Sequence, residues 1–266
     1  VARSENRSDA RRAKAAELRR AQQAHERRRK LTVYAGIAAV VLVAAAVLAY
    51  AVAKGGSSSS SASGGQILPT PVTGLGNPVT EKPAVKIADT SGIPGVVAYA
   101  ARVGTSNPAG ALEATHVPGP VVYSVTPPVG GPHNAIWMNC GIYTKPVPNE
   151  RAVHDMEHGA IWITYRPDLS AADVSTLRSL VLKQPKVADA TGAMWRYMDL
   201  TPWVDSGLPA PIVLSAWGRQ LTVDAANDPR LQRFIDAFRA KQGITPEFGS
   251  PCGGQPAGVG GRPDAS

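Results

Sequence analysis

Along this chain the hydrophobic pattern changes character four times, and each change predicts an element. From Leu31 to Ala53, "LTVYAGIAAVVLVAAAVLAYAVA" runs without a charge between Lys30 and Lys54. As a helix rising about 1.5 Å per residue it reaches roughly 35 Å, enough to cross a hydrocarbon core. A cleaved leader is the competing reading, because "AVA" before Lys54 resembles a small-residue cleavage site. Such leaders usually carry only about 7–15 apolar residues and a short head. An uncleaved, single transmembrane helix over residues 31–53 is therefore the expectation. "GGSSSSSASGG" and the Pro-rich "ILPTPVTGLGNPVTEKPAV" follow, so residues 54–90 are expected to form a flexible linker.

Residues 91–252 carry mixed periods and are expected to fold as one domain. "VPGPVVYSV" (Val117 to Val125) is a strand candidate, broken by "TPPVGGPHN", which has too many prolines and glycines for regular structure. "PNERAVHDMEHG" predicts a short helix capped by Asn149 and stopped by Gly159. "AIWITY" (Ala160 to Tyr165) predicts a buried strand. Ser170 caps a helix with Val174, Leu177, Leu180 and Val181 on one face. "MWRYMDL" and "PIVLSAWGRQLTVD" predict two or three more strands. A final helix starts at Asp228 and Pro229, buries Leu231, Phe234, Ile235 and Phe238, and ends before Gly243. From Ala160 onward the order is β-α-β-β-α. The expected fold class is α+β, a mainly antiparallel sheet with helices on one face. Residues 253–266 read as a disordered tail.

Charge changes the picture at one end only. The first thirty residues hold 11 Lys/Arg and 4 Asp/Glu, which is +7 of the chain's formal +8. The remainder is nearly neutral, so the high pI belongs to a basic tail (1–30) and not to the domain. Positive charge beside an apolar span places that tail in the cytoplasm, against plasma-membrane lipid, and the domain outside. A juxtamembrane flank accounts for the charge, so no nucleic acid is expected as a partner.

The two cysteines, Cys140 and Cys252, are expected to form one disulfide in an oxidising compartment. The competing role is Cys140 as a metal thiolate. Four of the five histidines, His116, His133, His154 and His158, fall within one short stretch. On a helix, His154 and His158 are i, i+4 neighbours able to grip one cation, and His133 can add a third nitrogen. Glu157 is a ligand, an orienter of an imidazole, or a general base on bound water. The metal candidates are therefore His133, His154 and His158, with His116 and Glu157 as further or supporting groups. Zinc and copper are the ions such donors take. "HNAIWMNC" adds Met138 and Cys140, and Met156 lies inside the histidine motif, which is the copper argument. The alternatives are a purely structural histidine cluster in an interaction module and a ligand pocket lined by Trp137, Tyr143 and Trp162.

"HDMEH" also spells H-x-x-E-H, the pattern of inverted-motif zinc peptidases. That class sets it on a long helix and needs a glutamate well downstream. Here Gly159 and a strand follow at once. The one later glutamate, Glu247, stands near the expected loose end, so a hydrolase with Glu157 as base is only an alternative. No nucleophile elbow, Walker loop, dinucleotide fingerprint or C-x-x-C pair is present.

The stretch Thr115 to Leu169 resembles domain of unknown function 3105, found in bacterial membrane-anchored proteins. The resemblance is carried by "HV.G.V.Y", "PPVGGPHN", "NCG.Y..PV", "AVH..EHGA" and the later "AWG" (Ala216 to Gly218). It implies extracytoplasmic placement and marks His116, His133, His154, Glu157 and His158 as signature positions, but it implies no reaction. The expected function is a non-catalytic, membrane-anchored envelope module with a His/Glu cluster for a metal, acting with membrane or envelope proteins.

Overall fold

The computed structural model describes residues 66–103, 107–205 and 207–264. The basic tail and the expected span at 31–53 lie outside the described residues. Among the described residues no helix is long and apolar enough to cross a membrane.

In chain order the elements are β1 (Val79–Thr80), β2 (Ala84–Ile87), β3 (Val96–Val103), β4 (Asn107–Gly110), β5 (Val121–Val122), α1 (Asn149–His158), β6 (Ile161–Tyr165) and α2 (Ala171–Lys183). Then follow β7 (Val187–Ala188), β8 (Met194–Trp195), β9 (Met198–Pro202), β10 (Ile212–Ala216), β11 (Arg219–Val223), α3 (Arg230–Phe238) and α4 (Ala257–Gly260). Seven strands make one sheet in the order β2-β3-β11-β10-β6-β9, with β4 on β3. Every pairing in it is antiparallel except β6 with β9, where Ile161 to Tyr165 run alongside Met198 to Pro202. The class is α+β.

Alternation along the central strands builds two cores, one on each face. Ile161, Ile163, Ile212, Leu214, Leu221 and Val223 point to the face covered by α2 and α3, where Leu177, Val181, Leu231, Phe234 and Phe238 meet them. Each such side chain contributes about 1.5–3 kcal/mol when fully buried. Trp162 and Val213 point the other way, onto Val153 and Met156 of α1 and Val129, Tyr143 and Trp217. The expectation of helices on one face is thus corrected: α1 lies opposite α2 and α3. A buried strand with large apolar residues at both parities needs cover on both faces.

Four further expectations change. The strand read over Val117 to Val125 reduces to β5, paired in parallel with β1, because Pro118 and Pro120 have no main-chain donor to give. Residues 66–90, read as linker, already contain β1 and β2, and β2 pairs with β3 through Ala84–Ala101 and Ile87–Ala98. The tail is packed: Ile67 and Arg262 exchange main-chain hydrogen bonds of 3.0 and 2.7 Å, and Arg178 pairs with Asp264 at 2.7 Å. Ser170 caps α2 as expected, accepting from the Asp173 amide at 3.1 Å. Helix α3, however, ends at Phe238 and not before Gly243.

The early end of α3 has a tertiary cause. Gly159 closes α1 in a left-handed conformation, φ +110°. Its missing side chain leaves room for Ala240, whose amide donates to the Gly159 carbonyl at 2.8 Å. That bond draws the chain off the helix axis and turns residues 241–251 back across the end of α1. There the Glu247 amide donates to the Glu157 carbonyl at 3.0 Å.

Candidate metal centre

Helix α1 is short and almost wholly buried, and it carries three of the five signature groups. His154 and His158 stand one turn apart, with Nε2 atoms 3.0 Å from each other. Two nitrogens about 2.05 Å from one zinc ion, at a tetrahedral angle, lie about 3.3 Å apart. The spacing therefore suits joint coordination. His133 arrives from the Pro/Gly loop, with Nε2 at 2.8 Å from Glu157 Oε2. His116 is held beside it by two main-chain bonds, Val117 amide to His133 carbonyl and His133 amide to Thr115 carbonyl. Its Nε2 is 3.7 Å from the same Glu157 oxygen.

The opposite edges of three rings are also fixed. His133 Nδ1 meets the Gly131 carbonyl at 2.8 Å, His154 Nδ1 the Asn134 carbonyl at 2.6 Å and His158 Nδ1 the Pro251 carbonyl at 2.6 Å. A carbonyl oxygen only accepts, so each Nδ1 carries the hydrogen and donates it. In a neutral ring the Nε2 is then a bare lone pair. Two such lone pairs face each other between His154 and His158, and a third faces the Glu157 carboxylate. Lone pairs set against lone pairs are repulsive unless a proton or a metal cation joins them. A main-chain carbonyl on the far nitrogen is the usual way a ligating imidazole is oriented.

The electrostatics keep His154 neutral. Burial, and then the neighbouring His158 and His133, push its imidazolium down to about 2, so the ring is a neutral ligand throughout the physiological range. Burial alone would raise Glu157; the adjacent His116 and His133 imidazoles overcome it and hold the carboxyl at about 2, ionised. His116 moves up, chiefly through the Glu157 carboxylate beside it. Trp137 covers the pair, its ring 5.6 Å from His154 and 5.2 Å from His158.

Glu247 is the residue that sequence reasoning misplaced. Read as standing near a loose end, it is carried to the cluster by the return of residues 241–251. Its Oε2 lies 3.4 Å from His158 Nε2. The downstream glutamate of the H-x-x-E-H pattern is thus present in space. No local signal marks it, because its position depends on the contact between Gly159 and Ala240.

Other candidates fall away. Cys140 and Cys252 are joined, with Cα atoms 5.4 Å apart, so Cys140 offers no thiolate. Met138 and Met156 are fully buried in the core beneath α1. Tyr143 and Trp162, read as possible pocket walls, are buried too and bonded to the Asn139 carbonyl and Thr201 Oγ1. Asp155 and Asp199 sit together beside Cys140. Burial raises both carboxyls, Asp199 to about 7, which favours their neutral forms and makes a poor cation site.

The sequence profile of the family described as "Protein of unknown function (DUF3105)" matches residues 116–254. The chain belongs to the DUF3105 family. The matched span begins at His116 and takes in every donor of the cluster, Glu247 included. No curated protein and no solved structure matches the chain. The DUF3105 description carries no reaction, so function rests on the geometry.

Proposed function

We propose that this DUF3105 protein is a non-catalytic envelope module whose outer domain binds a divalent transition metal, zinc or copper(II), at the His/Glu cluster. The carrying observation is that His133, His154 and His158 each give Nδ1–H to a main-chain carbonyl, while the His154 and His158 Nε2 atoms face each other at 3.0 Å and the His133 Nε2 faces Glu157 at 2.8 Å. An imidazole and carboxylate set without thiolate or thioether suits those two ions. The anchoring segment is the uncharged run at residues 31–53 beside the basic tail. The disulfide is consistent with an oxidising outer compartment. Membrane lipid and neighbouring envelope proteins are the partners this placement offers.

A hydrolase with Glu157 as base is the second reading, favoured by Glu247 lying beside His158. Against it, Glu157 is engaged by His133 at 2.8 Å, where a base needs a bound water. The test is metal content of the full chain, purified without chelator or histidine tag, with His133→Ala and Glu157→Gln as variants. Near-stoichiometric metal in the wild type, with affinity lowered by on the order of 100-fold in both variants, is expected. A folded, metal-free wild type overturns the proposal. Turnover lost in Glu157→Gln while the metal stays would establish the hydrolase.

A further inference from the structure

The donors form two groups. The ligand atoms of His116, His133, His154 and Glu157 all lie within 4.8 Å of one another, and so do those of His154, His158 and Glu247. His154 alone is common to both. Its Nδ1 is taken by the Asn134 carbonyl, so it has one nitrogen to give and can serve one ion. Assigning it to His158 and Glu247 leaves His116, His133 and Glu157 as a complete second set.

We propose that the cluster is a two-ion centre, with one divalent cation on His154, His158 and Glu247 and another on His116, His133 and Glu157. This rests on the metal-binding reading and deepens it. Each set has two imidazoles and one carboxylate, and three protein donors leave a position open for water or an anion. The sets are built on different scaffolds. One joins the end of α1 to the returning segment 241–251; the other joins α1 to the isolated β-bridge between His116 and His133.

The pattern of exposure repeats in both. His133, His154, His158 and Glu157 are buried, while the side chains of His116 and Glu247 are 44% and 47% exposed. Each set therefore has its own donor at the surface, which gives each ion a separate path to solvent. One divalent ion neutralises two carboxylates. A second leaves positive charge at the open positions, where hydroxide or an anion completes it.

The half-exposed donors allow a test without emptying the core. The full chain, Glu247→Ala and His116→Ala are equilibrated with micromolar zinc, freed of unbound metal, and measured for zinc per chain. Two equivalents in the wild type and one in each variant are expected. Cobalt(II) absorption of the two variants should differ, since different sets remain. One equivalent in the wild type, unchanged by Glu247→Ala, overturns the two-ion inference and leaves the single-site reading standing. No zinc in any of the three overturns both.

Discussion

Gly159→Ala is expected to damage this fold far more than its single methyl suggests. The added Cβ would lie 2.9 Å from Ala240 Cα and 3.2 Å from Ala240 N, at a φ of +110°. Those are backbone atoms, held by the bond from the Ala240 amide to the Gly159 carbonyl, so no side chain can swing aside. Left-handed backbone costs an alanine about 1–2 kcal/mol relative to glycine. Forcing a methyl into occupied space costs about 1–3 kcal/mol more, and the stiffer unfolded chain returns about 0.4–1 kcal/mol. The net loss is about 2–4 kcal/mol, a large part of a typical domain's stability. Gly243→Ala is the control: φ is +85° but nothing lies within 4 Å of the new Cβ, so about 0.5–1 kcal/mol is expected. Thermal unfolding of the metal-free proteins, followed by circular dichroism, reads the difference. For a domain of this size the loss at Gly159 lowers Tm by roughly 4–16 °C. The same variant should shed one zinc equivalent, because Glu247 and Pro251 reach the cluster through this contact. If Gly159→Ala melts within about 2 °C of the control, the contact does not organise the return of residues 241–251 and the reasoning fails.

Two further predictions follow from the buried chemistry under α1. Replacing both cysteines by serine opens a link spanning 112 residues and should cost about 4–5 kcal/mol in the chain-entropy account, read as a lower urea midpoint. Zinc retention should fall too, since Pro251 orients His158 next to Cys252; an unchanged midpoint would remove the disulfide from the list of stabilising features. Asp199 supplies a pH signature. Its carboxyl is raised from 3.8 to about 7 by burial, so the folded protein keeps a proton that the unfolded chain has lost between those values. That stabilisation is complete below about pH 4 and disappears as pH rises through about 7, whereas the contribution of the depressed Glu157 disappears only as pH falls from about 4.5 toward 2. The wild-type urea midpoint should therefore decline between about pH 5 and about pH 8, and Asp199→Asn should flatten that decline. Equal slopes in the two proteins would show that the pair does not hold the proton.

What the sequence determined by itself is whatever rests on neighbours along the chain. Helix α1 follows from the stop at Gly159, although the cap expected at Asn149 is not made and Pro148 precedes the first turn with no side-chain bond; α2 follows from Ser170; β6, β10 and β11 follow from short apolar runs between breakers. The grouping of His154, Glu157 and His158 is likewise a matter of helical spacing, and the pairing of two cysteines needed only a count. The tertiary structure decided the rest, because long-range contacts have no local signature. β2 became part of the sheet only because β3 offered it an edge, and "VVAYAARV" has too little alternation to announce itself. Helix α3 stops at Phe238 because Ala240 bonds to Gly159, a contact between residues 81 apart. That bond brings Glu247 to His158 and makes the segment leading into the expected tail one side of the histidine cluster. Which nitrogen of His133, His154 and His158 faces inward was settled the same way, by carbonyls of Gly131, Asn134 and Pro251 that only the folded chain puts in reach.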